Sequence, residues 1–393
     1  MILALMESLP VGGQAEEILY EQSLDDEPLP ILLPIKTPQG SISMFLDTGV
    51  YGEVFDPSVA GFLPPSMGET TVNSVGGKRK AKLFVAPSIT LGSWHLPEMV
   101  CVESDMEWWR KGIGRDARGV LGWGAIRETA IKVDFDHQKL QFIAEFNAPT
   151  SAKPYTGAAA KDLAYVFLSV ENDSRIPMIR STIRDIPVEW MMDMGTNHCL
   201  GLKHDLFDKM VKAGVIHRDT SKAKDRTLTA VGNTPLAGGH FTEGNLLGVA
   251  LKDLPVYDTG DANLIGLSFL INFNLIIDFS GNRLYFTRRN TTPPISTLEM
   301  LGAVLEYGKE GCGVWALHPE HGRAAEAAGL AVGDLILQLG ALRGENINGS
   351  TVYNLCRTGA GKVIEVQASR AKTKEIFKTR LRLSDMRYLY PPR

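Results

Sequence analysis

Apolar residues fall along this chain in short runs separated by glycines, prolines and polar turns, a pattern of strands rather than of long helices. Ile31-Leu32-Leu33, Ile42-Ser43-Met44-Phe45-Leu46 and Lys82-Leu83-Phe84-Val85 each have Gly or Pro close by on both sides and are expected as strands. Residues 131–135 and 139–142 are expected as a strand pair, preceded by Gly119-Val120-Leu121-Gly122-Trp123-Gly124. Val75-Gly76-Gly77-Lys78 reads as a hairpin tip, because adjacent glycines accept the positive φ that tight turns need. A second glycine-bearing turn lies at Val231-Gly232-Asn233. Helical periodicity appears over residues 204–213, where Leu206, Phe207, Met210 and Val211 share one face. Residues 1–28, acidic and turn-rich from residue 16 onward, are expected as a flexible N-terminal segment, and residues 147–162, rich in Pro, Ala and small polar residues, as a linker.

The chain also repeats itself. Residues 119–143 lie on residues 263–287 without a gap, with Gly122 on Gly266, Asp134 on Asp278, Phe135 on Phe279, Leu140 on Leu284 and Phe142 on Phe286, all at an offset of 144 residues. Two copies of one lobe are therefore expected. The first copy delivers Asp47-Thr48-Gly49 at the end of the apolar run 42–46. The repeat places its counterpart at Asp193-Met194-Gly195-Thr196, behind Trp190-Met191-Met192, at an offset of 146. Two carboxylates that share one proton form an acid–base pair that a single Asp cannot supply. Asp258-Thr259-Gly260 matches the short motif better, but it precedes Gly266 by only 8 residues, where Asp47 precedes Gly122 by 75. Asp258 is expected as a polar turn at a loop position.

On these features residues 29–287 resemble a bilobal aspartic peptidase of the pepsin and retropepsin clan. The resemblance implies a mainly β protein with two pseudo-symmetric retropepsin-like β-barrel lobes, over residues 29–146 and 163–290. It implies Asp47 and Asp193 as the catalytic pair, with Thr48, Gly49, Gly195 and Thr196 in support. It implies a flap at Val75, Gly76 and Gly77, and hydrolysis by a water held between the carboxylates, with no metal and no cofactor. One departure stands out. The family places Thr or Ser after each Asp, and its hydroxyl bonds the opposite loop; Thr48 keeps that role, whereas Met194 has no donor to offer. The alternative is a degenerate, non-catalytic peptide-binding protein of the same shape.

Residues 296–386 resemble a small α+β PDZ domain of the bacterial type. The resemblance rests on Gly313-Val314-Trp315-Ala316-Leu317, on Ala324-Ala325-Glu326-Ala327-Ala328-Gly329-Leu330 and on Val332-Gly333-Asp334-Leu335-Ile336-Leu337. It implies a peptide ligand bound as an added strand, with Leu301, Gly302, Ala303 and Val304 as the binding loop. The partners implied are peptide or protein substrates and a PDZ ligand.

Composition narrows the picture further. The 393 residues suit two or three domains, and 44% hydrophobic with 22% charged residues is ordinary for globular chains. A net charge of −4 with both signs interspersed gives no reason to expect a nucleic-acid partner, and no apolar run is long enough to span a membrane. Cys101, Cys199, Cys312 and Cys356 lie too far apart for a metal-ligand spacing or a disulfide framework and are expected as core residues. The histidines are expected as surface or packing residues, Trp108-Trp109 as a core patch, and Lys78-Arg79-Lys80 as a solvated charge run. The apolar start, Met1 to Met6, has no Lys or Arg before Lys36. It reads as the stub of an upstream signal, which implies a periplasmic or secreted protein, or as a loose end, which implies a cytoplasmic one.

Overall fold

The computed structural model describes residues 16–24, 29–74, 77–157, 162–170, 176–218, 225–229, 232–289, 301–317 and 324–383. The protein is mainly β, with 49% strand and 14% helix, so main-chain pairing rather than helix packing sets the position of the site. Two large sheets, of nine and fourteen strands, carry residues up to 288, and a six-stranded sheet carries the C-terminal part. No helix among the described residues is long and apolar enough to cross a membrane.

The repeat at offset 144 is a structural fact as well as a sequence one. Strand Ala130–Asp134 pairs antiparallel with strand Phe273–Asp278, with Ile131 opposite Ile277, Lys132 opposite Ile276 and Val133 opposite Leu275. Exchanging each residue with its repeat partner maps the Ile131 and Val133 pairs onto each other, so a local two-fold axis passes through Lys132 and Ile276. The turns that follow match in detail. Asp134 accepts the His137 N–H at 2.9 Å, and Asp278 accepts the Gly281 N–H at 2.8 Å. Gln138 and Asn282 then both adopt positive φ, 54° and 51°. The repeated aspartates thus shape equivalent tight turns. Among the described residues none of the sheets closes on itself. The expected barrel closure is absent because these strands pair across the two-fold axis instead of closing their own halves.

Two segments depart from expectation. Within residues 1–28, Ile18–Ser23 is a strand, paired with Lys139–Ile143 at the edge of the large sheet; residues 1–15 and 25–28 lie outside the described residues. Its acids are not simply solvated: Glu21 pairs with Lys139 at 2.8 Å and accepts from Gln141 at 2.7 Å, while Tyr20 packs on Phe142. Within the expected linker 147–162, Lys153–Pro154 pairs with Ala164 and Tyr165, and residues 158–161 lie outside the described residues. The helix expected over 204–213 runs His204–Lys212.

One hydrophobic core runs through both repeats, from Leu24 to Phe286, and a separate one fills the C-terminal part, from Leu301 to Leu383. All four cysteines are buried, and none of them forms a disulfide. In the C-terminal part Gly329 (φ 73°) ends helix Ala324–Ala327, and Gly333 (φ 88°) turns the chain into strand Leu335–Leu339. Asp334 locks that turn by accepting from Arg370 at 2.7 Å, Ala331 N–H at 3.0 Å and Ala371 N–H at 3.2 Å. Leu301 and Gly302 (φ 67°) precede strand Ala303–Gly308, so Ala303 and Val304 are strand residues rather than loop.

The C-terminal part is interlocked with the first repeat through backbone. Helix Glu107–Ile113 ends at Gly114 (φ 64°), where an added Cβ would lie 2.3 Å from Gly349 N. A Cβ on Gly349, at the start of helix Gly349–Gly359, would meet the Ile113 carbonyl oxygen at 2.0 Å. The Lys111–Glu306 ion pair across this junction, at 3.8 Å, contributes at most about 1 kcal/mol, so steric fit dominates. Gly349→Val is expected to pry the two parts apart while each keeps its own core. Small-angle scattering would show a larger radius of gyration with an unchanged far-ultraviolet circular dichroism spectrum; an unchanged radius would refute the interlock.

Candidate active site

The apolar run before Asp47 is buried for a reason visible in its pairing. In strand Gly40–Asp47, Met44, Phe45 and Leu46 are all but fully buried, and fully burying side chains of this size is worth about 1.5–3 kcal/mol each. That strand lies parallel to Gly119–Gly122, with Gly122 opposite Asp47. The second repeat does the same: strand Ile186–Asp193 lies parallel to Leu264–Gly266, with Gly266 opposite Asp193. The loop after each Asp is pinned in the same way, by Trp123 N–H to the Val50 carbonyl at 2.9 Å and by Leu267 N–H to the Thr196 carbonyl at 3.0 Å. The two repeats thus present a carboxylate at the same place in the same local fold.

The two carboxyls face each other at close range: a Cβ on Gly49 would lie 3.0 Å from Asp193 Cγ and 3.2 Å from Asp47 Oδ1. Each also accepts the N–H of the glycine two residues on, Gly49 to Asp47 at 2.8 Å and Gly195 to Asp193 at 2.9 Å. The approach demands glycine at 195, since a Cβ there would lie 2.3 Å from Asp47 Cγ. Asp47 is 7% exposed and Asp193 is half-buried. Burial first, and then the Asp193 charge, hold the Asp47 carboxyl well above the usual carboxylate range. Burial also raises Asp193, while the Gly195 N–H, the Asp47 carboxyl and the Thr196 N–H pull it back. Burial and the facing charge thus favour one proton shared by the pair.

Support for the pair is one-sided. Thr48 Oγ1 donates to the Met192 carbonyl at 2.7 Å and accepts from Met194 N–H at 3.2 Å, tying one loop to the other. Met194 is fully buried and belongs to the main core. The Thr196 hydroxyl turns to its own loop, accepting His198 N–H at 3.3 Å; its backbone N–H is the group that reaches Asp193. His198 is a packing residue: burial lowers its pKa to about 4, and its ring packs on Tyr257 with centroids 4.9 Å apart.

Asp258 lies apart from this constellation. It belongs to strand Pro255–Gly260 rather than to a loop, with Leu202 opposite it, and its carboxylate pairs with His204 at 2.6 Å. The loop expectation fails because the constant offset does not hold through this stretch: strand Met99–Glu103 is the element that packs equivalently in the first repeat.

Each repeat also extends a hairpin. Gly68–Ser74 pairs with Gly77–Ala86, closing at Ser74 and Gly77; Val75 and Gly76 lie outside the described residues. In the second repeat Asp225–Thr229 pairs with Gly232–Leu236, closing at Thr229 and Gly232. Trp109 packs edge-on against Phe45 at 5.0 Å, two residues before Asp47. The sequence reading passed over Glu53, a buried carboxyl on strand Glu53–Phe55 with one oxygen unpartnered. A lone Glu in a short apolar strand carries no motif that would mark it. No family model matches the chain, and no curated protein matches it.

Proposed function

We propose that the protein is an aspartic-type endopeptidase with two retropepsin-like lobes, and that its C-terminal part is a PDZ-type module that recruits peptide or protein substrates. The observation that carries the reading is the pair Asp47 and Asp193. They face each other across two loops, Asp47 buried and Asp193 half-buried, and are held in equivalent register by two copies of one supersecondary unit. A perturbed carboxyl pair at a repeat junction is the arrangement an acid–base hydrolase needs.

In this reading Asp193 takes a proton from a water held between the carboxyls, and that water attacks the amide carbonyl. Asp47 donates its hydrogen bond to the developing oxyanion and then its proton toward the leaving amine. Thr48 keeps the two loops in register, and the hairpins of the two repeats close over the peptide and exclude water. Among the described residues the edge strand Ala303–Gly308 pairs only with Gly311–Leu317, and an extended ligand would add to its other edge.

The test is incubation of purified protein with a denatured protein mixture from acidic to neutral pH, read by peptide mass spectrometry. New termini that vanish with pepstatin support the proposal. Their absence at every pH overturns it in favour of a peptide-binding protein.

The buried Met194 sets a second expectation. Met194→Thr removes core volume and buries a new hydroxyl, at about 1–3 kcal/mol. A lower melting temperature with no gain in turnover is expected. A rise in turnover would show instead that the second loop lacked a hydroxyl.

A further inference from the structure

Lys78-Arg79-Lys80 is not one solvated patch. Cross-strand pairing puts Arg79 opposite Val72 and Ala81 opposite Thr70, whereas Lys80 lies opposite Thr71 and Lys82 opposite Glu69. The two sets occupy opposite faces of the hairpin. Glu69, Thr71, Lys78, Lys80 and Lys82 are exposed, while Thr70, Val72 and Arg79 are half-buried and Ala81 is buried. Lys80 meets the exposed Glu69, at 3.8 Å. Arg79 is turned to the inner face, and its Nε is buried without a hydrogen-bond partner among the described residues. The acid whose charge reaches it is Asp105, but that carboxylate accepts the Glu107 N–H at 2.7 Å, and no ion pair joins it to Arg79 among the described residues.

A buried donor left unpaired is destabilising, and more so on a charged group. The guanidinium fork matches a carboxylate with two parallel hydrogen bonds, which an amide cannot equal. The inner face of this hairpin is the face that, on the peptidase reading above, covers the bound chain. We infer that Arg79 determines specificity, taking the carboxylate of an Asp or Glu side chain of the peptide seated beneath the hairpin. The inference rests on the proposed cleft, but not on its catalytic competence.

The experiment uses the full-length Asp47→Asn protein, so that binding is read without cleavage. Fluorescent peptides of one length carry a single Asp or Glu, or the matching Asn or Gln, walked along the chain, and anisotropy is measured at near-physiological salt. At one position the acid is expected to bind about tenfold more tightly than its amide. Adding Arg79→Gln should erase the difference, Arg79→Lys should keep part of it, and Lys80→Gln, on the outer face, should leave it intact. Three results would overturn the inference. The first is no acid preference at any position. The second is equal weakening of acid and amide peptides by Arg79→Gln, reproduced by Asp105→Asn, which would make Arg79 a latch for the hairpin. The third is an equal loss from Lys80→Gln, which would reduce the effect to diffuse charge. Cleavage of the same peptides by the unmodified protein is scored separately. Acid-selective binding without cleavage supports the role of Arg79 and refutes the peptidase; cleavage without acid preference does the reverse.

Discussion

Asp47→Asn is expected to abolish peptide hydrolysis while leaving the protein folded and, at neutral pH, more stable than the parent. The loss should be on the order of 10²–10⁴-fold, the range for removing a positioned acid–base group. Asn keeps the shape of Asp and can still accept the Gly49 N–H, so the loop geometry is retained. What it cannot do is hold the proton shared with Asp193. The stability gain follows from the raised pKa of Asp47. In the folded state this carboxyl keeps a proton that the unfolded chain releases, so folding is penalised as pH rises above the ordinary carboxylate range; Asn removes that penalty. Asp193→Asn should lose activity comparably, with a smaller gain. Asp258→Asn should keep near-native turnover, since its partner is His204 rather than the pair. Turnover and melting temperature of the three variants check this. An Asp47→Asn protein that still cleaves, or an inactive Asp258→Asn protein, would refute the assignment.

That assignment was legible because it depended on spacing rather than on side-chain detail. A fixed offset survives when residues drift, and Gly122 and Gly266 are held in place by backbone that no side chain fits: a Cβ at Gly122 would lie 2.4 Å from the Gly52 carbonyl oxygen, and one at Gly266 would lie 2.1 Å from that of His198. Positions so constrained keep the repeat visible. Other features were hidden for physical reasons. The strand Ile18–Ser23 alternates weakly and carries a Glu that only its cross-strand Lys139 and Gln141 make comfortable, and these lie some 120 residues away in sequence. Arg79 reads as one of three equal charges in sequence, because the alternation that turns it inward is a property of the hairpin. Strand Pro255–Gly260 was misplaced because insertions outside the gapless stretch break the offset, and its acid pairs with a histidine on a distant helix.

Stability should fall steadily as pH rises from about 4.5 to about 8, and much of that fall should disappear in Glu53→Gln. Glu53 sits on a central strand of the nine-stranded sheet, between Gly119–Gly122 and Met99–Glu103. It is 2% exposed, and its Oε2 has no hydrogen-bond partner. Burial pushes its pKa from 4.5 to about 8. Directly opposite in register is Cys101, whose thiol is pushed up to about 12 by burial and then by the Glu53 charge, so it offers no counter-ion. Below about 4.5 both folded and unfolded chains hold the proton, and the group has no effect. Between about 4.5 and 8 the folded chain keeps a proton that the unfolded chain has lost, so stability falls with pH, by about 1.4 kcal/mol per unit. Above about 8 both are ionised and the slope ends, after a loss of about 5 kcal/mol. Gln removes the titration but buries an amide, at about 1–3 kcal/mol, so the net gain at pH 8 is several kcal/mol. Glu53→Leu separates the two contributions, because it neither titrates nor needs a partner. Asp47 contributes a slope of the same sign, so the comparison belongs in the Asp47→Asn background, with denaturant midpoints taken from pH 4 to 9. If the Glu53→Gln slope matches that of its parent, then the carboxyl has found a partner in solution and the strand is not strained by its charge.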